Sequence, residues 1–182
     1  LAQPLRSGIY ENLLLAVSPQ GAITGYYHEE MGEGVTRSCE FLLAGQTSND
    51  GDAKIVSWSG LTLPGTLSAN QDGVTLTIQQ GQQHAGCINV MVPQIDSGLN
   101  LEKDVETHWI HLVKIVDDKA LLHVEPQTKS NNRGYVVKND IVGIIARQSG
   151  WSLVESLSDK GKIVQGRLED KQYQLPTPSQ NP

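Results

Sequence analysis

The chain has 182 residues, 20 of them acidic and 14 basic, for a formal net charge of −6. No Lys/Arg cluster provides the phosphate-binding surface that nucleic-acid recognition needs. No apolar run approaches the ~20 residues of a membrane-crossing helix, so no transmembrane segment is expected; the longest is Leu13 to Val17. Hydrophobic residues make up 38% with a single Phe, and there are 18 glycines. That balance predicts a core of Val, Ile and Leu cut by many turns, an all-β fold rather than one of long helices. The chain opens on Leu1 rather than Met, which suits removal of a targeting segment.

Residues 1–8 read as a loose lead-in. Ile9 to Val17 is a strand candidate, Ser18-Pro19-Gln20-Gly21 a turn, and Ala22 to Tyr27 the returning strand. His28 to Arg37 is polar, acidic and glycine-bearing, and is expected as an exposed loop. Ser38 to Ala44 puts Cys39, Phe41 and Leu43 on one face of a strand. Residues 45–52 form a long turn, and Lys54 to Trp58 another strand. Pro64-Gly65 opens a turn or a further strand. Asp72-Gly73 precedes Val74 to Ile78, where Val74, Leu76 and Ile78 alternate with two threonines as a half-buried strand requires. Residues 79–85 are turn-like, and Cys87 to Val92 reads as a strand ended by Pro93. Residues 96–107 are the best helical candidate, but Gly98 and Asn100 make them irregular or a single turn. About seven strands at turn spacings of 8–12 residues predict an antiparallel barrel or sandwich over residues 1–110.

Trp109 to Val116 can end this first domain or start a second. No long linker separates the two, which predicts domains that pack together. From Ala120 onward the strands are shorter: a run ended by Pro126, Gly134 to Val137, Ile141 to Ala146, Trp151 to Leu157 and Ile163 to Leu168. The turns between them are Gln127–Arg133, Lys138-Asn139-Asp140, Ser149-Gly150 and Ser158–Gly161. Strands this short and close predict a small barrel over residues 111–175. Residues 176–182 are Pro-rich and polar and are expected as a flexible tail.

The pattern YVVKND-x-V, then G-W-x-x-V, then G-K-x-V-x-G resembles a bacterial SH3-type domain over roughly residues 109–170. The resemblance implies an SH3-like barrel whose core strand begins at Gly150-Trp151, and implies recognition of cell-wall material. Its final glycine is usually followed by Trp or Tyr; here Arg167 follows Gly166, so that aromatic is absent from the groove the family uses. Trp151 is expected to plug the barrel core, with a ligand-facing position as the alternative. The first domain resembles the N-terminal regions of uncharacterised bacterial envelope proteins. The carrying segments are GIYENLLLxV at 8–17, ITGYY at 23–27, CEF at 39–41 and GCINV at 86–90.

Cys39 and Cys87 are an even pair in a β-rich chain, which suits a disulfide formed in an oxidising compartment. The alternative is two buried thiols. Neither has the spacing of a thiol nucleophile. His84 and Cys87 supply two zinc-type donors where three or four are needed. His108 and His111 fall on opposite faces of a strand, so no metal site is expected. No nucleophile elbow, phosphate loop or cofactor motif occurs. Glu29, Glu30 and Glu33 are the one group of carboxylates that acid–base chemistry could draw on, given a pocket that desolvates one of them. Of Tyr26 and Tyr27, one ring must point outward and is a candidate contact residue.

These readings converge on a non-enzymatic binding protein of a bacterial envelope, periplasmic or secreted, that recognises a protein or a cell-wall peptide. An inhibitor or immunity protein against a secreted hydrolase is one form of it. Its expected binding residues are Tyr27, Glu29, Glu30, Glu33 and Trp151, and it uses no cofactor. The alternative is a small hydrolase built on the carboxylates of residues 28–37.

Overall fold

The structure, a computed structural model, describes residues 3–33 and 37–178. The fold is all-β, and the chain divides into two compact units: Leu1–His108 with the stretch from Thr177, and Trp109–Pro176.

The first unit is a closed antiparallel barrel of eight strands in chain order. They are β1 (Gly8–Tyr10), β2 (Leu13–Val17), β3 (Ala22–Met31), β4 (Arg37–Thr47), β5 (Ala53–Trp58), β6 (Thr62–Ala69), β7 (Gly73–Ile78) and β8 (Leu99–Glu106). The alternation read from the sequence sets the interior. Leu13, Leu15, Ile23, Tyr27, Phe41, Leu43, Ile55, Leu67, Val74, Leu76 and Ile78 point inward and are fully or almost fully buried. Closure leaves no bare sheet edge around the barrel wall.

Three segments depart from the sequence reading. Residues 9–17 are two strands, because Glu11 takes a left-handed backbone (φ 53°) and folds Tyr10 back onto Leu13. Residues 99–106 form β8, which pairs with both β7 and β1 and so closes the barrel. Residues 87–92 carry no strand. They belong to a connection with 3-10 turns at Gly81–Gln83 and Pro93–Asp96. This connection buries Val90, Met91 and Ile95 in the barrel's core cluster.

The second unit is a seven-stranded sheet in the order β11-β10-β14-β13-β12-β9-β15. Its strands are β9 (His111–Ile115), β10 (Lys119–His123), β11 (Asn132–Val137), β12 (Ile141–Gln148), β13 (Trp151–Leu157), β14 (Ile163–Glu169) and β15 (Tyr173–Gln174). The last strand returns to pair with the first, Tyr173 opposite Ile115, so the sheet curls around one core. That core is Val113, Ile115, Ala120, Leu122, Val136, Val142, Ile144, Val154 and Leu168. The turns at Asn139 (φ 76°) and Ser149-Gly150 (φ 53° and 82°) fall where the sequence places them, in the left-handed backbone that tight turns demand.

Trp109 is buried against β12, with its Nε1 donating to Glu155 Oε1 at 2.9 Å. Gly143 makes this possible, since a Cβ there would lie 2.5 Å from the indole ring. Gly143→Ala is therefore expected to destabilise the protein by about 1–3 kcal/mol through overpacking. A thermal melt reads this directly, and an unchanged midpoint would show that the ring is not held against the strand.

Candidate functional site

In the barrel wall, β3 and β4 are longer than their neighbours. The β2 partner of β3 ends at Leu13, opposite Tyr27, and the β5 partner of β4 ends at Trp58, opposite Leu42. Beyond those points β3 and β4 continue as a two-stranded ribbon through the pairs His28–Glu40, Glu29–Cys39, Glu30–Ser38 and Met31–Arg37. At strand rise this carries the pair about 13 Å past its neighbours. Residues 28–31 and 37 are thus strand rather than loop; Glu33 lies exposed in the turn, and residues 34–36 fall outside the described residues.

The root of this ribbon is fastened on one face. Cys39 and Cys87 form a disulfide, which ties the 79–98 connection to β4. The Glu40 N–H donates to the carbonyl of Ala85 at 3.3 Å. Tyr27 stacks on Phe41 (5.0 Å between ring centroids), and Phe41 stacks on His84 (4.6 Å). Gly86 adopts φ 76° and sits so close to the carbonyl of Ser38 that a Cβ would overlap it.

His84 is buried, and each of its ring nitrogens meets a serine. Nε2 lies 2.7 Å from Ser57 Oγ, and Nδ1 lies 2.6 Å from Ser59 Oγ. Ser57 spends its hydroxyl proton on the carbonyl of Leu63, so it accepts from Nε2–H. Nδ1 then accepts from Ser59, whose oxygen in turn takes the N–H of Ala85. The network is complete with neutral imidazole, and burial lowers the pKa of His84 from 6.5 to about 4. Despite the Ser–His contact, Ser57 is fully buried and presents no hydroxyl to a substrate.

The structure sorts the expected contact residues. Tyr27 is the inward ring of its pair, 2% exposed, and not an outward contact; parity along β3 makes Tyr26 the outer ring, stacked on His28. The Tyr27 hydroxyl donates to Glu29 Oε1 at 2.7 Å, and burial with that carboxylate raises the tyrosine pKa. Glu29 and Glu30 are adjacent on a strand and so point to opposite faces. Glu30 faces His28 at 3.4 Å, beside Ser38. The two carboxylates therefore do not converge into the acid–base pair that the hydrolase reading requires. Glu40 was missed in the sequence, where it sits inside an apolar strand; register places it across from His28 on the outer face, and it adds to the acidic ribbon. No group of three or more His, Cys, Asp or Glu positioned to hold a metal occurs among the described residues.

In the second unit, Trp151 does not plug the core. Parity along β13 sends Ser152 and Val154 inward and leaves Trp151 and Leu153 on the outer face. There the indole meets His123 edge-on at 5.5 Å. It lines an open cleft of about 420 Å³ with Pro126, Gln148, Leu153 and Arg167.

Two measurements test this geometry. Free-thiol titration of the unfolded, unreduced protein is expected to find none. Removing the cross-link with C39S/C87S is expected to cost about 4 kcal/mol in loop-closure entropy for a separation of 48 residues. The second concerns His84. Its folded pKa lies below its unfolded value, so between pH 6.5 and about 4 the unfolded chain binds more protons. The stability it contributes is complete above pH 6.5 and falls as pH drops toward 4, by on the order of 3 kcal/mol in all. His84→Gln is expected to flatten this part of the stability curve relative to wild type; parallel curves would contradict the assignment. No family model matches the sequence, and no match is found among curated proteins or solved structures.

Proposed function

We propose that this chain is a non-enzymatic binding protein of a bacterial envelope, periplasmic or secreted, which docks a protein partner through the β3–β4 ribbon. The observation that carries the reading is the ribbon itself: a two-stranded element that outruns its neighbours, is cross-linked at its root and ends in Glu29, Glu30, Met31 and Glu33. A rigid element loses little entropy on docking, so more of its contact energy appears as affinity. Met31 is 48% exposed and supplies apolar contact area among the carboxylates. The acidic charge suits a basic partner surface and speeds encounter at low salt. Plugging the cationic cleft of a secreted hydrolase, as an inhibitor or immunity protein, is one form of this reading.

A disulfide favours an oxidising compartment. For the second unit, an SH3-type barrel is the proposal: the sequence resemblance supports it, and so does a curled sheet of short strands whose last strand pairs with its first.

The test is capture from envelope extract, run beside sedimentation with purified cell wall. The triple variant E29Q/E30Q/E33Q is expected to hold a captured partner about tenfold more weakly at low salt, with the gap closing as salt rises. Equal capture by the variant at every salt concentration would overturn the ribbon as the docking element. Hydrolytic turnover that vanishes in the variant would replace the binding reading with the enzymatic one.

A further inference from the structure

The Trp151 cleft holds a cation without a counter-charge. Arg167 on β14 stands directly across from Leu153 on β13 and from His123 on β10, so the register places all three on the face that carries Trp151. Its side chain is partly buried. The interaction that fixes it is one hydrogen bond from Nη1 to the carbonyl of Val124, at 2.6 Å. A guanidinium carries five donors in a planar fork. Among the described residues, no Asp or Glu carboxylate oxygen lies within 4.0 Å of an Arg167 guanidinium nitrogen. Glu169 shares the outer face of β14, but its carboxylate is taken by Lys171 at 3.4 Å and by the backbone N–H of Gln172.

Partly buried cations are normally paired, because desolvation costs more than a lone neutral hydrogen bond returns. Here the unused donors lie in a cleft of about 420 Å³ whose other walls are the apolar Trp151, Pro126 and Leu153, the polar Gln148 and Ser149, and Arg147, whose guanidinium lies over the Tyr173 ring at 5.6 Å. We infer that this cleft binds an extended peptide through a carboxylate, which the Arg167 fork pairs while Trp151, Pro126 and Leu153 hold the apolar groups on either side of it. A carboxylate matches the spacing of the fork and can accept two parallel N–H bonds. A polyanion fits less well: Arg147, the second arginine of the lining, lies over the Tyr173 ring, two arginines are not a stripe of phosphate contacts, and the net charge of −6 repels nucleic acid. The inference does not depend on the ribbon, since every lining residue lies within Trp109–Pro176.

The optical probe is built in. Trp58 and Trp109 are each 2% exposed, whereas Trp151 is partly open, so emission that shifts on ligand addition reports this cleft. The full chain is titrated with acetyl-Pro-Leu-Glu-Leu-Pro-amide and with the same peptide carrying Gln in place of Glu. The expected result is a saturable shift with the Glu peptide and at least tenfold weaker binding of the Gln peptide. R167Q is expected to erase that discrimination and R167K to retain part of it, with W151F keeping the preference but weakening both. Thermal melts of each variant separate lost binding from lost fold; if R167Q does not fold, the Glu-to-Gln comparison on wild type and R167K decides the matter. Equal affinity for the two peptides, no saturable shift with either at millimolar concentration, or tighter binding of a single-stranded oligonucleotide at the same tryptophan would overturn the proposal.

Discussion

The Cys39–Cys87 cross-link is the constraint on which the β3–β4 ribbon of the first unit depends. A two-stranded ribbon in water is marginal unless something covers a face of it. Here the disulfide brings the 79–98 connection across the root of β3 and β4, and Tyr27, Phe41 and His84 stack in series beneath it. The connection has its own anchor, for it buries Val90, Met91 and Ile95 in the barrel's core cluster. Covalent closure, aromatic stacking and barrel filling therefore act on the same few residues. Past that root the ribbon carries Glu30, Met31 and Glu33, all exposed, while Glu29 stays bound to the Tyr27 hydroxyl opposite Cys39.

His84 shows how local chemistry serves that arrangement. A buried imidazole is tolerated because two serines and the neutral tautomer complete its hydrogen bonding. The same geometry that suggests a catalytic dyad on distance alone is closed to substrate, since the serine has no exposed surface. Distance without access is not an active site.

Much of the fold was legible in the sequence where turn chemistry and alternation agree. Ser18–Gly21, Asp72-Gly73, Lys138–Asp140 and Ser158–Gly161 all mark reversals, and Val74, Leu76 and Ile78 point inward as their spacing requires. The misreadings have specific causes. β8 offers only Leu99 and Leu101 to the interior, so its pattern is too thin to distinguish from an irregular segment, and pairing on both sides makes it a strand. Residues 87–92 look like a strand because they are apolar, but Val90 and Met91 join the barrel core from a turn while Ile88 and Val92 stay exposed. Tyr27 turns inward rather than outward, and Trp151 takes the ligand-facing alternative rather than the core position, because parity along a strand depends on register, which is fixed by partners distant in sequence. Glu40 was invisible for the same reason. Arg167 stood out as a departure from the resembling family's pattern, yet only the register reveals that it shares a face with Trp151.

The claim that most needs testing is that the ribbon is held rigid by its cross-linked root. Native-state amide hydrogen exchange resolved to residues 28–31 and 38–41 tests it most directly. In the oxidised protein, the amides pairing β3 with β4 beyond Tyr27 are expected to exchange slowly, near the rate of the barrel strands, and to lose protection on reduction while β5–β7 keep theirs. Rapid exchange of those amides in the oxidised protein, or protection unchanged by reduction, would contradict the account.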